Sequence, residues 1–124
     1  MKKNSFIHRV IIAFSLTFIM TGCHHSRVNA PIATEQVEQL ASLIAGGSYL
    51  RQQCAQTTLP DEQALTARAL GLAEKRGWNT RAAEYKSLNL ISMKKQQLID
   101  EDPRLTEEKC RKLADSLLPF ISGQ

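Results

Sequence analysis

From Thr34 onward, apolar residues recur at spacings of three and four, the period of an amphipathic helix. No stretch alternates apolar and polar positions with β-branched enrichment, so no strand is predicted. The first helix is predicted from about Thr34 to Cys54. Leu40, Leu43, Gly47, Leu50 and Cys54 form one seam, which points into the core, and Val37, Ala41, Ile44 and Ser48 form a second beside it. Together the seams cover about half the circumference, wider than the roughly 100° stripe a surface helix needs. Gly46 and Gly47 each cost about 1 kcal/mol relative to Ala in a helix, and close approach of another helix is the expected compensation.

Three more helices follow. Thr57-Thr58-Leu59-Pro60-Asp61 joins hydroxyl caps, a first-turn proline and an acid, a helix start. The second helix is predicted from about Pro60 to Arg76, with Leu65, Ala69, Leu72 and Ala73 inward. Gly77 is its left-handed stop, and Trp78 is the apolar residue that folds back over it. Asn79 or Thr80 is expected to cap a third helix reaching about Ile99, with Tyr85, Leu88, Ser92 and Ile99 on one face. Leu90 and Met93 point away from that face. Thr106 is expected to cap the fourth helix, with Leu105 stapled onto Cys110 and Cys110, Leu113, Ala114 and Leu117 inward. Pro119 and a short tail close the domain. The connections are short, which favours antiparallel neighbours in an all-α, compact four-helix domain over residues 35–122.

The chain before that domain has a different pattern. Lys2, Lys3 and Arg9 precede the apolar run Val10–Met20, and Thr21-Gly22-Cys23 follows. A basic start, an apolar centre and small residues at the end mark a secretory signal peptide over residues 1–22. At about 1.5 Å per residue, this run is too short for a hydrocarbon core of roughly 30 Å, which argues against a transmembrane anchor. Met20-Thr21-Gly22-Cys23 resembles a bacterial lipobox, with Met20 in place of the usual Leu. The resemblance implies cleavage before Cys23 and lipid on its thiol and amine, and acyl chains of about 0.8 kcal/mol per buried methylene anchor durably. His24, rather than Asp, follows the lipid site. By resemblance to enterobacterial lipoproteins, that implies the outer membrane, with the domain facing the periplasm. Residues 23–34 read as a flexible tether.

This division changes the meaning of the net charge. The formal charge is +4, but residues 1–22 hold three bases and no acid, which leaves 13 basic and 12 acidic residues in the remainder. Nucleic acid is therefore excluded as a partner, because phosphate binding needs a clustered basic surplus. Setting aside the lipidated Cys23 leaves Cys54 and Cys110, a pair with one possible connectivity in an oxidising compartment. Beside an acylated Cys23, His24 and His25 lack the thiolate and the ligand count of a metal site. No cofactor is expected beyond the covalent lipid.

Catalytic chemistry is missing as well. All three histidines, His8, His24 and His25, precede the domain, so neither a Cys–His nor a Ser–His–Asp set can form in it. Asp61-Glu62, Asp100-Glu101-Asp102 and Glu107-Glu108 stand at helix ends, where capping explains them. The chain is not expected to be an enzyme. What remains is apolar surface in excess of what a domain of this size can bury, which suits a helix-in-groove partner.

The run Val37-Glu38-Gln39-Leu40-Ala41-Ser42-Leu43-Ile44-Ala45-Gly46-Gly47-Ser48-Tyr49-Leu50-Arg51-Gln52-Gln53-Cys54 resembles the PulS/OutS-type pilotins of bacterial type II secretion systems. Leu59-Pro60-Asp61-Glu62, Ala73-Glu74-Lys75-Arg76-Gly77-Trp78 and Cys110 extend the likeness. It implies a small four-helix domain with one disulfide that binds the C-terminal segment of a secretin. The segment, disordered when free, would become helical in the pilotin's groove. The lipoprotein-sorting machinery would then carry both to the outer membrane. Periodicity assigns the groove to Val37, Leu40 and Ile44 of the first helix and Leu90 and Met93 of the third. A helical envelope lipoprotein that inhibits or scaffolds another periplasmic protein is the alternative.

Overall fold

The computed structural model describes residues 30–122. It is all-α, with α1 at Ala33–Gln53, α2 at Glu62–Lys75, a 3-10 turn at Ala83–Ser87, α3 at Leu88–Glu101 and α4 at Thr106–Ile121. A disulfide joins Cys54 to Cys110. Among the described residues, no helix is long and apolar enough to cross a membrane.

α1 is the centre of the fold, and every other element packs on it. Its residues from Ile44 to Leu50 are buried without a break. Seven consecutive positions turn through nearly two full circles, so this part of α1 has no solvent side. Gly46 lies against Leu113 and Leu117 of α4, and Gly47 lies against Leu65 of α2 and Ile121 of α4. Two adjacent glycines thus admit two neighbouring helices, the close approach that offsets their helix-propensity cost.

The contacts also fix direction. Cys54 at the end of α1 is bonded to Cys110 near the start of α4, so α4 runs antiparallel to α1. α2 is antiparallel too, with Leu65 at Gly47 and Ala73 in the cluster of Val37 and Leu40. α3 runs along α1, because Tyr85 Oη donates to Gln36 Oε1 (2.9 Å) and Gln96 Nε2 donates to Gln52 Oε1 (3.1 Å). The topology is up–down–up–down, with three helices arranged around a fourth.

Several local signals act as their chemistry requires. Asp61 caps α2, its Oδ1 accepting from the Ala64 N–H at 2.9 Å. Gly77 takes φ +74. Its N–H donates to the Glu74 carbonyl and the Trp78 N–H to the Ala73 carbonyl, which completes a Schellman stop. Trp78 then packs on the core beneath the Arg76 guanidinium, 5.1 Å from the ring centroid. After α1, Ala55 takes φ 54, a left-handed position that costs a non-glycine residue roughly 1 kcal/mol. Arg51 steadies this corner by donating to the Thr57 and Leu59 carbonyls.

Other expectations need correction. The third helix does not start at Asn79 or Thr80. The Asn79 side chain accepts from the Arg81 N–H at 3.2 Å, which closes a local turn. The chain then passes through the 3-10 turn before α3 begins at Leu88. Thr106 is the first residue of α4, not its cap, and Leu105 is 76% exposed rather than stapled to Cys110. Pro119 lies inside α4, which continues to the fully buried Ile121. α1 starts at Ala33, inside the segment read as tether, where Gln36 Nε2 donates to the Pro31 carbonyl at 2.7 Å.

Candidate partner-binding furrow

Three helices around one leave gaps on the outside. Between α3 and α4 runs a furrow of about 340 Å³, with Leu98, Ile99 and Leu113 as its apolar wall. Asp102, Arg104, Lys109, Lys112 and Ser116 complete the lining. Leu98 is 65% exposed, which leaves a large apolar side chain at the furrow with no protein partner covering most of it. A larger hollow of about 680 Å³ separates α2 from the end of α4. Its wall residue Arg68 ties the two helices together by donating to the Ile121 carbonyl. The α3–α4 furrow is the better seat for an apolar segment.

Lys109 sets the furrow's far end. It is 7% exposed, and its ammonium donates to the carbonyls of Ile99 (3.0 Å) and Asp102 (3.2 Å). These carbonyls belong to the last turn of α3, where the helix dipole and unpaired acceptors favour a cation. The same ammonium lies 5.3 Å from the centre of the Tyr49 ring on α1. One side chain thus joins three helices and fixes the distance between α3 and α4.

The rim is charged but internally balanced. Arg104 grips Asp102 at 2.5 Å, and hydrogen bonds from Arg104 hold the Asp102 carboxyl well below the usual carboxylate range. Lys112 binds Glu108 at 2.9 Å and lowers that carboxyl in the same way. Three cations against one carboxylate line the furrow itself. Each of these cations is already engaged, Arg104 by Asp102, Lys112 by Glu108 and Lys109 by the α3 carbonyls, so the apolar wall is what a guest would read. Among the described residues, no three His, Cys, Asp or Glu side chains gather as a metal site.

The residues assigned to the groove from periodicity separate into two groups. Val37, Leu40 and Ile44 are 1–2% exposed and belong to the core cluster with Ala69, Ala73, Tyr85 and Leu88. They present no surface, because α1 is enclosed by α2, α3 and the 3-10 turn instead of lying at an edge. Leu90 and Met93 are 55% and 64% exposed, on the outward side of α3, and neither lines the furrow. Cys54 and Cys110 are brought together as the disulfide. Cys23, with the whole of residues 1–22 and most of the tether, lies outside the described residues. Periodicity missed Leu98, Leu113 and Lys109 as furrow residues. The available signal was the spacing Lys109, Leu113, Ser116, a stripe on α4 running beside the buried one.

Known proteins resemble most of this chain. The family model Type II secretion system pilotin lipoprotein (PulS_OutS) matches residues 17–122. The pullulanase secretion protein PulS of Klebsiella pneumoniae is 30% identical over 118 residues, covering 92% of this chain and 93% of the relative. The pilotin OutS of Dickeya dadantii (strain 3937) is 37% identical over 93 residues, covering 73% of this chain and 67% of the relative. A solved pilotin/secretin peptide complex has a chain of similar fold, with TM-score 0.70 and 34% identity, covering 75% of this chain and 95% of that one. A second similar chain comes from the Klebsiella pneumoniae type II secretion outer membrane complex of PulD, PulS and the PulC HR domain. It has TM-score 0.66 and 28% identity, and the match covers 71% of this chain and 92% of that one. A family match of this extent, on an all-α disulfide-bonded fold with solved pilotin neighbours, places the chain in the PulS/OutS family of type II secretion system pilotin lipoproteins.

Proposed function

We propose that this chain is an outer-membrane pilotin that holds the C-terminal segment of a type II secretion secretin in the α3–α4 furrow. The segment folds there as a short amphipathic helix. The observation that carries the site is the exposed Leu98 beside Ile99 and Leu113 in an otherwise unfilled gap. The furrow's α4 wall extends from Lys109 to Ser116. At about 1.5 Å per residue that is roughly two helical turns. Ordering a disordered tail costs several kcal/mol, so an apolar seat with a fixed spacing is what binding requires. A solved complex of a similar pilotin with a secretin peptide supports this reading.

The remaining parts serve delivery. Residues 1–22 act as the signal peptide, and lipid on Cys23 with the tether that follows holds the domain at the membrane. His24 after Cys23 supports sorting to the outer membrane by the lipoprotein machinery. The role is binding rather than catalysis, and the covalent lipid is the one added group.

Calorimetry with a synthetic secretin C-terminal peptide tests the site. Leu98→Asp places a carboxylate in the apolar seat without touching the core and should weaken binding by roughly tenfold or more, about 1.4 kcal/mol. Leu90→Asp, on the outer side of α3, should leave binding unchanged. The reverse result would move the site to the exposed back of α3.

A further inference from the structure

The packing gathers three features at one end of the domain: the start of α1, the end of α2 with Trp78, and the 3-10 turn. The tether joins the domain at this same end. From Cys23 to Ala30 the chain is seven residues long, which at roughly 3.3–3.6 Å each reaches about 25 Å at most. A lipid on Cys23 therefore keeps this end, and not the opposite one, near the bilayer.

The two ends differ in charge balance. Lys75, Arg76, Arg81 and Lys86 are all exposed at the tether end. Glu35, Glu74 and Glu84 are exposed carboxylates in the same elements, Glu74 accepting from the Thr80 hydroxyl at 3.4 Å, while Glu38 is taken by Lys95 at 2.7 Å. An exposed apolar side chain accompanies the cations, Ile32 at 66%. The far end carries Asp61, Glu62, Asp100, Glu101 and Glu107, all exposed, against the exposed Arg104 and Arg111.

We infer that the tether end is a docking face for an anionic phospholipid bilayer, the same membrane that holds the lipid anchor. This rests on acylation at Cys23. Cations attract anionic headgroups across a Debye length, and Ile32 enters the interfacial layer once the face arrives. The acidic end and the α3–α4 furrow's Lys109 mouth then point away from the membrane. The domain stands with a defined polarity instead of swinging on its leash.

Trp78 is the chain's one tryptophan and lies at this end, so it reports contact directly. The full lipoprotein would be reconstituted in vesicles of brominated phosphatidylcholine, with and without phosphatidylglycerol. Trp78 emission should be quenched in the anionic vesicles. Quenching should be lost without phosphatidylglycerol, at about 1 M salt where the Debye length is about 3 Å, and in the variant Lys75→Glu/Arg81→Glu. That variant should still bind the secretin peptide, because neither residue lines the furrow. Equal emission in both vesicle types, or quenching unchanged in the variant, would overturn docking while leaving the anchor intact. Failure of the chain to float with vesicles at all would overturn the anchor, and the docking with it.

Discussion

Two residues show how single positions set the geometry. Gly46 has no Cβ because Leu113 and Leu117 of α4 occupy that space. The nearest atom to a new Cβ would be the flexible tip of Leu117. Gly46→Ala should therefore be close to neutral, as Leu117 turns aside and α1 gains about 1 kcal/mol of helix propensity. Gly46→Val leaves no such escape and should cost about 1–3 kcal/mol through overpacking, read as a fall in thermal midpoint. Lys109 is the opposite case, a long charged residue among inward positions. Its burial between the α3 carbonyls and Tyr49 has no counterpart in the hydrophobic pattern, where a lysine reads as solvent-facing.

At the level of elements, boundaries governed by local chemistry were readable and those governed by competition were not. Gly77 and Trp78 end α2 by a glycine conformation and two backbone bonds that depend on neighbours in sequence. The turn at Asn79 displaced an expected helix start, because a side-chain bond to the Arg81 N–H competes with helical pairing. The disulfide is the main constraint between elements. Cys54 and Cys110 are 56 residues apart. In the chain-entropy model, closing such a loop is worth about 4 kcal/mol, less any native strain. Cys54→Ser/Cys110→Ser should lower unfolding free energy by up to that amount in a denaturant titration. α4 should show the earliest loss of amide protection, because the bond fixes its first turn to α1.

The whole molecule should be indifferent to physiological pH. All three histidines lie before residue 30, so nothing of that type titrates in the described domain. Asp102 and Glu108 have lowered pKa values in the fold, through Arg104 and Lys112. The stability they add is present above the ordinary carboxylate pKa of about 4 and is lost as pH falls toward their folded values. Both pairs face solvent, so the loss is small. Burial raises the Tyr85 pKa, so its contribution is full below about pH 10 and disappears above it. Thermal midpoints should form a plateau from about pH 5 to 9 and fall on either side.

The sequence alone determined the helical class, the α2 stop and the even cysteine pair of the domain, because each depends on residues close in the chain or on simple counting. It also showed that α1 has two apolar seams. Only the tertiary structure decided that both seams are buried, since a helix cannot record how many neighbours will surround it. Placing α1 at the centre put Val37, Leu40 and Ile44 inside. It left Leu98 of α3 facing the half-buried Leu113 of α4 across a gap that no single stretch of chain encodes, while Leu90 and Met93 stay exposed on the outer side of α3.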